Sequence, residues 1–438
     1  MTLNLQGFRK NVVGLLAGQL MRLGLQAAYF VVLARMLGTS EYGAFAAALA
    51  LAALVAPFSS LGAHSIMVRN VARAASVAAA EWRRALLYSL GIGLILAGLL
   101  TALADLIAPP ELSRLGIFLV VVADVVGLKL VELSGGLWQA LGKSKSLIVL
   151  PALVNSLRLL AAVGALFLAP QIELEQWCLI YLAATLPIGV ASGLYTSIKL
   201  GKSRSSLLLR WRDIREGILF SVATSAQNVY NDIDKAMLAR LGNVTQAGLY
   251  SAAYRVIDMG YAPIRAVASA AYPLYFREGE HGLVSAMALT RRIAPAVLSL
   301  GAVAAVGAFF VAPLTPLLLG SEFSGAIVLV QLLSPLIVLR GVSYLAADTL
   351  TGCGRQAFRT AAQVGTAVVN VALNFLFIPM LGVMGAVVVT LVCETLLATV
   401  LWLYIGLSLR RLRSRRGRRR MASREIHGQK MTPVGRPE

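Results

Sequence analysis

Residues 33–45 read LARMLGTSEYGAF, and residues 238–250 read LARLGNVTQAGLY. Each closes an apolar run with Leu-Ala-Arg, then gives Leu-Gly, a few polar residues, and a Gly with an aromatic residue near it. Arg35 and Arg240 fall in a last helical turn, where a cation meets the negative end of its own helix dipole and can extend to the headgroups. Gly38 and Gly242 suit a helix stop. Thr39 or Ser40, and Asn243 or Thr245, can cap the helix that follows. Tyr42 and Tyr250 sit where interfacial aromatics belong. Each stretch reads as the turn of a helical hairpin, and the chain writes that turn twice.

The match extends backward. With Leu33 placed on Leu238, Gln19, Arg22 and Gln26 fall on Thr224, Gln227 and Asn231. Both sets repeat at i, i+3, i+7, which is one helix face. The chain therefore holds an internal repeat of six spans. An even number gives both halves one orientation, so their pseudo-twofold should run along the membrane normal, with a cavity between them.

Composition sets the solvent. The 438 residues are 58% hydrophobic and only 14% charged, with mean hydropathy +0.76. Soluble domains keep roughly a quarter of their residues charged, so much of this surface must face lipid. Apolar runs long enough to cross centre on roughly residues 24, 52, 97, 127, 158, 188, 229, 262, 305, 335, 368 and 395. The predicted fold is an all-α polytopic membrane protein of about twelve spans. Its lobes are 1–205 and 206–409, followed by a basic, disordered tail over 410–438.

Loop charges test the count. With the N-terminus cytoplasmic, the inner segments carry Arg9 and Lys10, Arg69 to Arg84, Lys143 and Lys145, Lys199 to Arg215, Arg277 to Arg292, Arg355 and Arg359. The tail RRLRSRRGRRR from Arg410 ends the series inside. This alternation follows the positive-inside rule and places both termini in the cytoplasm. The net charge of +20 thereby lies mainly on the cytoplasmic side, where the basic tail reads as topological or, alternatively, as a site for membrane lipids of anionic headgroup or a partner enzyme. It does not point to nucleic acid, because the basic residues lie in short loops and one tail. RNVARAASVAAAEWRRALL, from Arg69, reads as an amphipathic segment along the inner interface.

Three scattered cysteines and three histidines form no metal, disulfide or triad pattern, so no cofactor is expected. Polar residues inside the spans are the informative ones, because a charge at mid-bilayer costs on the order of 3 kcal/mol and should face a cavity or a partner. Arg22, Arg158, Arg255, Arg265 and Arg340 outnumber the central acids in this reading. Surplus guanidinium suits an anion, phosphate above all, which it binds in bidentate fashion. Gln19, Gln26, Gln227, Asn231, Tyr254 and Tyr261 suit a hydroxyl-rich ligand. Lys129 with Glu132, and Lys235 with Asp232 or Asp234, read as pairs; Asn370 and Asn374 read as helix–helix glue.

The chain resembles the Wzx-type polysaccharide flippases of the multidrug/oligosaccharidyl-lipid/polysaccharide superfamily. The resemblance runs from about Asn11 to Leu409. Its marks are ARMLGTSEYGAFAAALAL, NDIDKAMLARLGNVTQAGLYSAAYRV, LLGSEFSGAIVLVQLLSP and VVNVALNFLFIPMLGVMGAVVVTLVCE. It implies two six-helix lobes around a central cavity, a bacterial inner-membrane location, and alternating access. The implied substrate is an oligosaccharide on undecaprenyl pyrophosphate, moved from the cytoplasmic to the periplasmic leaflet for surface polysaccharide or exopolysaccharide. Polysaccharide polymerase and glycosyltransferases are the implied partners. A proton or sodium gradient is the implied drive, with Asp124, Asp234, Asp258 and Glu394 as coupling candidates. The alternative is a multidrug, cation-coupled exporter of the same superfamily, for which surplus acid would be expected. The outer loops are too short for a glycan polymerase or ligase.

Overall fold

The computed structural model describes residues 5–143, 145–168, 172–201 and 211–429. Those residues form helices and connecting turns, with no strand among them. In chain order the first are α1 (Leu5–Val55), α2 (Ala63–Arg73), α3 (Ala78–Ala102), α4 (Ala104–Ile107), α5 (Arg114–Val121), α6 (Lys129–Ala140), α7 (Ser146–Leu168) and α8 (Leu174–Leu200). There follow α9 (Trp211–Met237), α10 (Val244–Glu280), α11 (Leu283–Val311), α12 (Thr315–Leu319), α13 (Ala326–Leu333), α14 (Pro335–Gly352), α15 (Gln356–Leu381) and α16 (Val383–Gln429). The last helix runs on through much of the basic tail that the sequence reading leaves disordered.

By length and composition, seven described helical stretches can cross a membrane, or eight if the bent Ser321–Leu333 and Pro335–Gly352 pair is one span. The sequence predicts about twelve. Part of the difference is α1, which counts once although it is two rods joined at Gly38. The rest is the α5–α6 rod, α9 and α10, which are long but carry Asp124, Asp232, Lys235, Arg255 and Asp258. Large apolar side chains such as Ile95, Phe167 and Phe310 face outward, as lipid-exposed surface requires.

The repeated turns keep two of the features their sequence asks for. Gly38 takes φ 65°, ψ −175°, a conformation that L side chains avoid. Asn243 caps α10, accepting from the Thr245 amide at 2.7 Å. Other expectations need correction. Neither Thr39 nor Ser40 caps the second rod of α1; the Glu322 carboxylate accepts from the Thr39 amide at 3.2 Å instead. Gly242 closes a π turn (Leu238–Gly242) and has no positive φ. Tyr42 and Tyr250 are buried in the core, not set in an interfacial belt. Arg35 and Arg240 do not serve their own helix ends. They reach backbone carbonyls of α12 and α4.

The two turns also touch each other. Gly43 lies against the backbone of Val244 and Gly248, and Gly248 lies against that of Thr39 and Gly43. A Cβ at either glycine would fall on the partner's carbonyl oxygen. The alignment of Leu33 with Leu238 maps one contact onto the other, so the contact is reciprocal. Further along, Pro57 has no amide proton to bond the Ala53 carbonyl. Asn228 Nδ2 donates to that carbonyl at 2.8 Å, and Ser225 Oγ to Leu54 O at 2.7 Å. These bonds fix α9 alongside α1. Lys129 and Glu132 pair at 3.2 Å, as expected. Asn374 donates to Asn370 within α15 at 3.0 Å, and the Asn370 side chain also meets Cys393 of α16, so the pair ties these two helices as the sequence reading expects.

Candidate functional site

Three adjoining chambers occupy the middle of the bundle. One, of about 350 Å³, lies nearest the repeated turns and is lined by Tyr29, Tyr42, Asp124, Arg158 and Lys235 among others. A second, of about 580 Å³, extends along α10 from Arg255 to Tyr272 and reaches Asp348 and Arg359. A third, of about 200 Å³, lies among α9, α10, α14, α15 and α16. Asp258 lines all three, so they adjoin around its side chain and are taken together as the central cavity.

Most buried charges here are paired. Between α5 and α6 the chain makes a π turn over Val122–Leu128, an irregularity often found at functional sites. That turn carries Asp124. Arg158 donates to Asp124 at 3.0 Å and to Thr185 Oγ1 at 2.9 Å, and Tyr181 donates to the same carboxylate at 2.7 Å. The Arg158 guanidinium lies 4.0 Å from the Tyr181 ring centre, which adds a cation–π contact. Across the cavity Arg340 donates to Asp258 at 2.9 Å and to the Tyr254 hydroxyl, and stands 3.8 Å from Glu394. Tyr230 donates to Glu394 at 2.6 Å. Lys235 pairs with Asp232, as the sequence predicts, and Arg359 lies 3.9 Å from Asp348.

Arg255 and Arg265 differ. Both are exposed to the second chamber, and among the described residues neither has a carboxylate within ion-pair distance. Arg255 lies beside the Tyr42 hydroxyl. The two side chains start ten residues apart on α10, roughly 15 Å of helical rise. Arg265 folds back to donate to the Asp258 carbonyl at 3.0 Å, which draws its guanidinium toward Arg255. On four residues of the lining, Tyr29, Ser251, Tyr261 and Ser343, the hydroxyl itself is buried and has no hydrogen-bond partner among the described residues.

The structure brings most of the sequence-predicted residues together. Gln26, Asn231, Tyr254, Tyr261, Arg158, Arg255, Arg265, Arg340, Asp124, Asp258 and Glu394 all line the cavity. Asp234 does not; it is buried behind α9, bonded by Tyr250 at 2.5 Å and by Thr390 at 3.3 Å. The side chains of Gln19, Arg22 and Gln227 lie outside the described residues. The expected arginine surplus shrinks. Six described cations line the chambers, Arg158, Lys235, Arg255, Arg265, Arg340 and Arg359, against five acids, Asp124, Asp232, Asp258, Asp348 and Glu394.

Sequence reasoning missed Arg359, Tyr344 and Asp348 as lining residues. Their spacing carried the signal. Arg340, Tyr344 and Asp348 recur every four residues on α14, and Arg359 lies one turn before Gln363 on α15.

Residues 8–278 match the family model described as polysaccharide biosynthesis protein. No curated protein matches the chain. Among solved structures, the chain resembles the inward-facing conformation of a multidrug resistance MATE family transporter of the MOP superfamily. That match has TM-score 0.68 and 17% identity, over 90% of this chain and 99% of the other. The outward-facing conformation of such a transporter matches with TM-score 0.62 and 16% identity, over 92% and 96%. A MOP superfamily transporter from Pyrococcus furiosus, described as having a binding pocket of reverse polarity, matches with TM-score 0.60 and 17% identity, over 92% and 96%. These likenesses establish the fold.

Proposed function

This chain belongs to the polysaccharide biosynthesis protein family, and from that premise we propose that it is a flippase for an undecaprenyl-pyrophosphate-linked oligosaccharide. It works by alternating access between two six-helix lobes, 1–205 and 206–409. Twelve spans put both ends in the cytoplasm of a bacterial inner membrane, and the repeated turns on the periplasmic side. The α5–α6 rod, α9 and α10 are then crossing helices whose Asp124, Asp232, Lys235, Arg255, Asp258 and Arg265 face the cavity, while Asp234 is held by Tyr250 and Thr390 and Lys129 pairs with Glu132. Support for the lobes comes from the reciprocal contact of the repeated turns.

The observation that carries the substrate reading is the pair Arg255 and Arg265. They are cavity guanidiniums without carboxylate partners among the described residues, open to the largest of the three chambers. A pyrophosphate offers the oxygens that guanidinium grips in bidentate fashion. The lining tyrosines and amides suit the sugars. The polyprenyl tail stays in lipid while the head crosses. Asp124, Asp258 and Glu394 are each bonded to an arginine or a tyrosine, so proton or sodium binding there would have to loosen Arg158 or Arg340.

The near balance of cations and acids favours one second reading, export of an organic cation. The experiment is direct. Purified protein is reconstituted into liposomes and movement of a lipid-linked oligosaccharide across the bilayer is measured. Arg255→Gln with Arg265→Gln is expected to slow it about tenfold or more, because a charge-assisted contact is lost at each position. Wild-type rates in that double variant would sink the docking assignment. Transport of lipophilic cations in place of the lipid would favour the second reading.

A further inference from the structure

Arg35 and Arg240 take no part in the cavity. They hold equivalent places in the repeated stretch, and each reaches out of its own half to the other. Arg35 donates through Nε to Leu318 O at 2.6 Å and through Nη2 to Leu317 O at 2.5 Å. Arg240 donates through Nε to Leu106 O and through Nη2 to Asp105 O, both at 3.1 Å. Leu317 and Leu318 lie in α12; Asp105 and Leu106 lie in α4. In both places the acceptors are consecutive carbonyls at the end of a short helix, which have no partner within it and carry its negative pole. The planar guanidinium fork meets them with two parallel donors, which an ammonium group does not supply.

The arrangement is crosswise. The first rod of the first half holds the connection after the third rod of the second half, and the reverse. Each acceptor segment is also tied down separately. Arg114 bonds the Asp105 carboxylate and holds it below the usual range, and Glu322, just beyond α12, accepts the Thr39 amide. Between the two arginines, Gly43 and Gly248 seat α1 and α10 backbone to backbone. All four arginine bonds are exposed, so water can replace them at little cost. The cavity ion pairs are far less open to such exchange.

We propose that Arg35 and Arg240 form a paired latch that holds the turn end of the cavity shut, and that both arginines release their carbonyls when the cavity opens at that end. The proposal rests on the alternating-access reading. It assigns the doubly written arginine a conformational role rather than a helix-end or substrate role.

The test reads opening directly. The probe is Leu49→Cys, at a position that lines the chamber nearest the turns, in a Cys353→Ser background; Cys178 and Cys393 are buried. Its labelling by a small membrane-impermeant methanethiosulfonate is timed in right-side-out and inverted vesicles. Two double variants are compared with the parent: Arg35→Gln with Arg240→Gln, and Arg35→Lys with Arg240→Lys. The lysine version keeps the charge and loses the fork. Both are expected to raise labelling from the turn side about tenfold, one decade in the open-to-closed ratio, while labelling from the other side falls. Single variants should fall between. Parent-level labelling from the turn side in both doubles would overturn the latch. So would a rise from both sides at once, which would mean general loosening. Since the probe reads opening and not cargo, loss of lipid-linked sugar transport as the correct activity would leave a positive labelling result standing.

Discussion

At the scale of single residues, buried charges here are of two kinds, and stability should tell them apart. Arg340 is 8% exposed and Glu394 2% exposed, and the arginine also holds Asp258. Removing one partner of a buried pair leaves the other charged and desolvated, typically at a cost of about 3–5 kcal/mol. Arg340→Met is therefore expected to lower the unfolding temperature of the purified protein markedly, with partial recovery when Glu394→Gln is added. Arg255→Gln orphans no carboxylate, and its unfolding temperature should stay near that of the parent. Equal destabilisation by both would contradict the division into committed and available arginines. The sequence identified nearly all of these residues, because a charge within an apolar run is conspicuous. It did not reveal who pairs with whom. Asp124 and Arg158 are 34 residues apart on different helices, and only packing brings them together. For the same reason the surplus of arginine shrinks among the described residues: Arg359 and Asp348 lie near span ends and Asp232 one turn before a lysine, yet their side chains turn inward.

At the scale of elements, the hairpin turn was legible and its surroundings were not. Gly38 and Asn243 act locally, through φ and through a side-chain cap two residues away, so a single sequence suffices to read them. The cap on Thr39 comes from Glu322, and the carbonyls held by Arg35 come from α12, both nearly three hundred residues distant. The glycine of the repeat had no local reason in the sequence. Its reason is the crossing of α1 and α10, where no Cβ fits. Reciprocity makes a sharp prediction. Gly43→Val and Gly248→Val should act alike, each prying the same two backbones apart, with losses of about 1–3 kcal/mol typical of overpacking. Thermal unfolding of the two single variants checks this. A large effect at one glycine and none at the other would deny that the two turns share one contact.

At the scale of the whole molecule, the sign of the cavity separates the two cargo classes. Six described lining cations face five acids, and four of those cations pair with the acids, so the positive excess is carried by Arg255 and Arg265. Neutralising both leaves four against five and turns the cavity acidic. A ligand that binds only the folded protein raises its apparent stability by RT ln(1 + [L]/Kd), about 2.7 kcal/mol at a hundredfold excess over Kd. An undecaprenyl-pyrophosphate-linked sugar should thus raise the unfolding temperature of the parent, and tetraphenylphosphonium should leave it unchanged. In the Arg255→Gln, Arg265→Gln double variant the lipid should lose its effect, and the lipophilic cation should acquire one. The exchange must be paired, because one pair of side chains is asked to attract one ligand and repel the other. Stabilisation of the parent by the cation, undiminished or unaltered in the double variant, would move the cargo to the organic-cation class and leave the two arginines with no part in choosing it.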